Sequence, residues 1–225
     1  MQTGISNHPH PTEEEEVVVG TWRLPGTLYL PDNPFSLVIF AHGSGSSRFS
    51  ARNRQVAGAL ARRGMAALLF DLLRREEEEA QGRAKVFDIP FLAERMVDAI
   101  AWVDRRWTAE TMPIGLFGAS TGAAAALVAA AHLPKRVGAV VSRGGRPDLA
   151  GDALDEVQAP TLLIVGGADT LVLELNRAAE LRLKGITALK VVPGATHLFS
   201  EPGAMEDVVA LATDWFERYL ASVPE

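Results

Sequence analysis

Six short, largely apolar runs recur along this chain, at residues 37–41, 65–70, 113–117, 137–142, 161–165 and 186–192. Runs of this length without polar alternation are typical of strands covered on both faces of a sheet. Helices are predicted between and after them, over residues 51–63, 90–107, 123–131, 171–184 and 204–220. In the second of these, Phe91, Met96, Val97, Ile100 and Val103 recur at helical spacing. Consecutive parallel strands need a long crossover, and a helix is the usual one. The alternation therefore predicts an α/β fold, a mostly parallel sheet with helices on both faces. Residues 17–23 and 24–30 read as a further strand pair at the start.

Composition narrows the class. With 225 residues, of which 48% are hydrophobic and 22% charged, the chain suits one domain with a substantial core. Residues 1–12 read as a disordered lead-in containing His8 and His10, and residues 13–225 as the single domain. The absence of cysteine excludes disulfides, thiolate metal sites and a cysteine nucleophile. A net charge of −6 offers no basic excess for nucleic acid. No apolar run approaches membrane-spanning length and the N-terminus has no apolar signal core, so a cytoplasmic location is expected. The acidic runs at residues 13–16 and 76–79 read as solvated surface or loop.

Parallel sheets place ligands and chemistry at the carboxyl ends of their strands. Directly after the 113–117 run stands Gly118-Ala119-Ser120-Thr121-Gly122, followed by the 123–131 helix. Strand, G-x-S-x-G, helix is the context of a nucleophile elbow. The turn is tight enough that small residues must flank the serine. It lifts the Ser120 hydroxyl above the sheet edge and aims a helix N-terminus at the reacting oxygen.

A serine hydroxyl needs a base within hydrogen-bond reach. Of the five histidines, two are in the lead-in. His132 ends the elbow helix, far from Ser120, and His42 belongs to His42-Gly43-Ser44-Gly45, where it props the loop rather than reacts. His197, in the glycine- and proline-containing loop after the last strand, is the candidate base. The base needs a carboxylate to orient it. Asp169, after the 161–165 strand, is the first candidate, with Asp71 and Glu174 in reserve; Asp169 also suits the cap of the helix that follows. The oxyanion needs backbone donors, and Thr121 and Ser44 are placed to supply them.

With these motifs in place, the chain resembles the small, capless dienelactone-hydrolase-like family of α/β-hydrolases. Residues 42–47, 118–122, 166–169 and 194–197 carry the resemblance, which spans nearly the whole chain after the lead-in. It implies an eight-stranded, mostly parallel sheet and a Ser120–His197–Asp169 triad, the chain order of α/β-hydrolases. It also implies cleavage of a carboxylic ester, lactone or related acyl bond in a small molecule, with no cofactor and no metal. Dienelactone hydrolases proper use a cysteine nucleophile, which this chain lacks, so the match is to the serine branch. Some relatives of this type are joined to a phosphoribosyltransferase domain, which nothing in this chain supplies.

Residues 143–160 are too few for a cap and hold one small helix, so the site is expected to be open or covered by loops. Arg143 starts this stretch at a strand's carboxyl end. Two readings stay open for it: a pocket cation for an anionic acyl group, or an ion pair with Asp148, Asp152 or Asp155. Arg48, Arg52 and Arg54 read as surface residues, and Phe49 and Phe199 as apolar wall or core. The same triad serves thioesterases, acyltransferases and peptidases, and the same scaffold serves non-catalytic binding proteins.

Overall fold

The computed structural model describes residues 12–74, 76, 77, 85, 87–107 and 112–221. Strands β1 (Thr12–Val19), β2 (Leu24–Pro31) and β3 (Ser36–Ala41) come first, then α1 (Ala51–Arg62), β4 (Met65–Phe70) and α2 (Ile89–Arg106). Next come β5 (Ile114–Ala119), α3 (Thr121–His132), β6 (Val137–Arg143) and a 3-10 segment (Pro147–Glu156). The chain ends with β7 (Thr161–Gly166), α4 (Thr170–Glu180), β8 (Thr187–Val192) and α5 (Ala204–Leu220). One eight-stranded sheet results, in the order β1-β2-β4-β3-β5-β6-β7-β8. The β1–β2 and β2–β4 pairs are antiparallel, and every pair from β4 through β8 is parallel. This is the α/β-hydrolase fold. The link from β6 to β7 holds only the 3-10 segment, so no cap stands there.

The six predicted runs are all strands, and β3, β4, β5 and β7 are buried along their full length. Two apolar layers flank the sheet. One packs α2, α3 and the 3-10 segment, and the other packs α1 and α5. Helix α3 is buried from Thr121 to Ala130, closed in by the sheet below and by α2 and the 3-10 segment around it. Its alanines are the side chains small enough for that space.

The first strand pair differs from expectation. β1 runs from Thr12 to Val19, not over 17–23, and Gly20 to Arg23 close a turn in which both of those residues have positive φ. Residues 13–16 are therefore strand rather than loop. Glu15 meets Arg106 at 2.8 Å, Glu16 meets Arg48 at 3.1 Å, and charges on this outer strand discourage edge-to-edge pairing. Of the expected lead-in, residues 1–11 lie outside the described residues and Thr12 opens β1. Glu78 and Glu79 also lie outside them, while Glu77 is a part-buried ion-pair partner rather than free solvated surface. It meets Arg95 at 2.7 Å, and the Arg95 guanidinium, 1% exposed, lies 4.0 Å from the Trp22 ring centroid and 4.5 Å from that of Phe91. No helix among the described residues is long and apolar enough to cross a membrane.

Candidate active site

The elbow between β5 and α3 is held by contact on every side. A Cβ on Gly118 would stand 2.3 Å from Ala123 Cα, and one on Gly122 2.3 Å from the Ala41 carbonyl oxygen, so neither position admits a side chain. Ser120 sits between them at φ 52°, ψ −122°, a conformation that L-residues adopt only under constraint. Its amide donates to the Arg143 carbonyl at 3.2 Å, and its carbonyl accepts from the Arg146 amide at 3.0 Å. The end of β6 thus pins the strained turn. Across the β5–β6 register Ala119 faces Arg143, which sets Arg143 one strand away from the serine.

The loops after β7 and β8 are laced together. The Ala168 amide donates to the Ala195 carbonyl at 2.9 Å, and the Gly167 amide to the Val192 carbonyl at 2.8 Å. This brings Asp169 Oδ2 within 2.7 Å of His197 Nδ1. Asp169 occupies the cap position of α4, yet its side chain makes no cap hydrogen bond. Of the reserve acids, Asp71 is paired with Arg48 at 2.9 Å, and Glu174 is exposed on α4. Glu201 fixes the histidine loop, accepting from the Thr196 hydroxyl at 2.7 Å and from its amide at 3.1 Å. These bonds hold the Glu201 carboxyl below the usual carboxylate range.

The loop after β3 closes over the serine. Gly43 lies so near that a Cβ there would come within 3.0 Å of Ser120 Cβ. His42 supports the loop through its ring, with Nδ1 3.0 Å from the Gly43 carbonyl oxygen and Nε2 accepting from the Leu72 amide at 3.0 Å. The Ser44 amide donates to Thr121 Oγ1 at 3.0 Å. The Thr121 amide is the first of α3, and the first amides of a helix have no acceptor inside it.

Ser120 and His197 line one cavity of about 200 Å³. Its wall includes Ser44, Arg52, Asn53 and Arg143. Arg143 is 6% exposed and, among the described residues, has no ion pair. Asp148 is taken by Arg146 at 2.7 Å, and Asp155 and Asp152 by Arg182 at 2.6 and 3.5 Å. Burial, with Arg52 adding like-charge repulsion, pulls the Arg143 guanidinium down to about 10, which leaves it cationic at neutral pH. Arg52 is a correction to the surface reading, because it stands in the first turn of α1 and faces the cavity. The sequence signal for it is Ser50, an N-cap that places the start of α1 beside the β3 loop. Phe199 is core, 1% exposed, and Phe49 is exposed. No three acidic or histidine side chains among the described residues gather into a metal-ligand set.

Residues 24–221 match the dienelactone hydrolase family. The chain belongs to that family. A dienelactone hydrolase from Anabaena variabilis is 50% identical, with a TM-score of 0.88, over 94% of this chain and 99% of that one. Carboxyl esterase 2 from Tuber melanosporum, 17% identical over 96% of this chain and 89% of its own, shares the fold at a TM-score of 0.72. A Mycobacterium tuberculosis H37Rv protein named "Putative phosphoribosyl transferase" is 57% identical over 92% of this chain. The chain spans about half of that relative's length, 46%. Family and fold together place the chain among the α/β-hydrolases.

Proposed function

We propose that this dienelactone hydrolase family member is a serine hydrolase that cleaves a carboxylic ester or lactone through an acyl-enzyme. The observation that carries the reading is the 2.7 Å Asp169–His197 contact on the same cavity as the strained Ser120. With Nδ1 committed to Asp169, Nε2 is the ring atom left for the serine proton.

In the first half-reaction Ser120 Oγ attacks the carbonyl carbon while His197 Nε2 takes its proton. The tetrahedral oxyanion rests on the Thr121 amide and on the Ser44 amide, which is then shared with the Thr121 hydroxyl. Collapse breaks the bond to the alcohol oxygen, and His197 returns the proton to that leaving group. Water then repeats the cycle on the acyl-enzyme, and the acid leaves. Asp169 keeps the imidazole in the reactive tautomer and stabilises the imidazolium. The steps use this chain's own groups and water, and the expected substrate is a small acyl compound. The phosphoribosyl transferase name belongs to a protein of which this chain matches less than half.

A fluorophosphonate probe tests the reading, with intact mass measured on the wild type and on Ser120→Ala. One adduct on the wild type and none on the variant is the expected result. Absence of an adduct on folded wild type would reject an activated serine and favour a binding protein on this scaffold. Esters, thioesters and amides offered to the labelled-competent enzyme then separate esterase from thioesterase and peptidase chemistry.

A further inference from the structure

The cavity beside Ser120 carries more positive charge than hydrolysis of a neutral ester needs. Arg143 is buried, and among the described residues its side chain has no hydrogen bond and no counter-ion; its Nε is fully enclosed without an acceptor. The Phe199 ring, its centroid 5.7 Å from the guanidinium, is no counter-ion; a buried charge without one is costly, and three nearby aspartates are committed to other arginines instead. Arg52 adds a second guanidinium, again with an enclosed Nε that has no acceptor. No residue lining the cavity carries a carboxylate. The same wall carries further hydrogen-bonding groups: the hydroxyls of Ser44, Ser46 and Ser50, and Asn53, whose Oδ1 is also enclosed without a partner. An amide whose oxygen lacks a donor can present its NH₂ by turning over. Two helix N-termini, those of α1 and α3, open on the same space and favour negative charge.

We infer that this cavity recognises a dianionic oxyanion group on the substrate, held between Arg143 and Arg52 beside the scissile bond. Two guanidinium charges match two negative charges, and the fork of donors on each matches paired oxygens. A phosphate monoester and a dicarboxylate are the two sources of that chemistry. At about 200 Å³ the cavity is below the roughly 300–1,000 Å³ of drug-sized sites, so the group it takes is compact. The inference rests on the hydrolase reading only for where the group sits relative to the reaction; binding of the anion itself does not depend on Ser120 chemistry.

Titration calorimetry of the full chain at constant ionic strength tests it, with inorganic phosphate, succinate and acetate as probes. The variants are Ser120→Ala, Arg143→Gln and Arg52→Gln. Saturable binding of phosphate or succinate, retained in Ser120→Ala and weakened at least tenfold in each arginine variant, is the expected result. Tighter phosphate than succinate points to a phosphate monoester, and the reverse to a dicarboxylate. A parallel assay compares kcat/KM for a p-nitrophenyl ester with an anionic acyl group against a neutral one. The anionic-to-neutral ratio should fall at least tenfold in Arg143→Gln and in Arg52→Gln. Arg52 lies in the first turn of a surface helix, so its variant keeps the test open if Arg143→Gln fails to fold. No binding above the acetate control, or equal binding in both arginine variants, would overturn the inference. Anion binding by a protein whose Ser120 takes no fluorophosphonate would overturn the hydrolase reading and leave this one standing.

Discussion

Ser120, the proposed nucleophile, holds a backbone conformation that costs stability. Its positive φ projects the hydroxyl but is unfavourable for any side chain with a Cβ. Alanine would keep that strain, whereas glycine would relieve it and give back part of the gain in unfolded-state entropy. Ser120→Gly is therefore expected to be more stable than Ser120→Ala by about 1 kcal/mol, as read from denaturant midpoints. Equal stabilities would mean that the surrounding hydrogen bonds to Arg143 and Arg146 absorb the strain. The elbow was legible in the sequence because the turn needs small residues on both sides of the serine, Gly118 against Ala123 within the turn and Gly122 against the end of β3. The fate of Arg143 was not, because three aspartates lie within reach in sequence and only the folded loops decide which arginine each one meets.

Among the elements, α2 carries an unusual load. Arg95 on its buried side is enclosed by Trp22 and Phe91, and Glu77 is its counter-ion. Burial, with Arg74 adding like-charge repulsion, pulls the Arg95 pKa down, and Glu77 offsets part of that shift. Removing the counter-ion of a buried guanidinium leaves that charge uncompensated, so Glu77→Gln is expected to cost about 3 kcal/mol in chemical unfolding. A loss below about 0.5 kcal/mol would show the pair to be effectively solvated. Helix and strand periodicity located α2, β3, β4 and β7 to within about two residues. It misplaced β1, because that strand is defined by pairing with β2 rather than by its own pattern. It also missed Arg52, since the direction a helix's first turn faces depends on how α1 lies against the sheet. Asp169 and His197 were legible for the opposite reason. A parallel sheet delivers every strand's carboxyl end to one edge, so residues 28 positions apart meet there.

At the scale of the whole molecule, the groups assigned to catalysis are spread unevenly over the sheet. Ser120 follows β5, deep in the sheet, and Asp169 follows β7. His197 follows β8, which ends the sheet, pairs on one side with β7 and is exposed along part of its length. Outer elements open locally at lower free energy than the core they cover. The proposed base therefore rides on an outer strand of the sheet, the kind expected to open ahead of the core. Warming should silence this protein while its spectrum still looks native: the fluorophosphonate labelling rate, followed beside circular dichroism, is expected to collapse several degrees below the melting midpoint and to return on cooling. Coincident loss of both signals would mean that β8 melts only with the core.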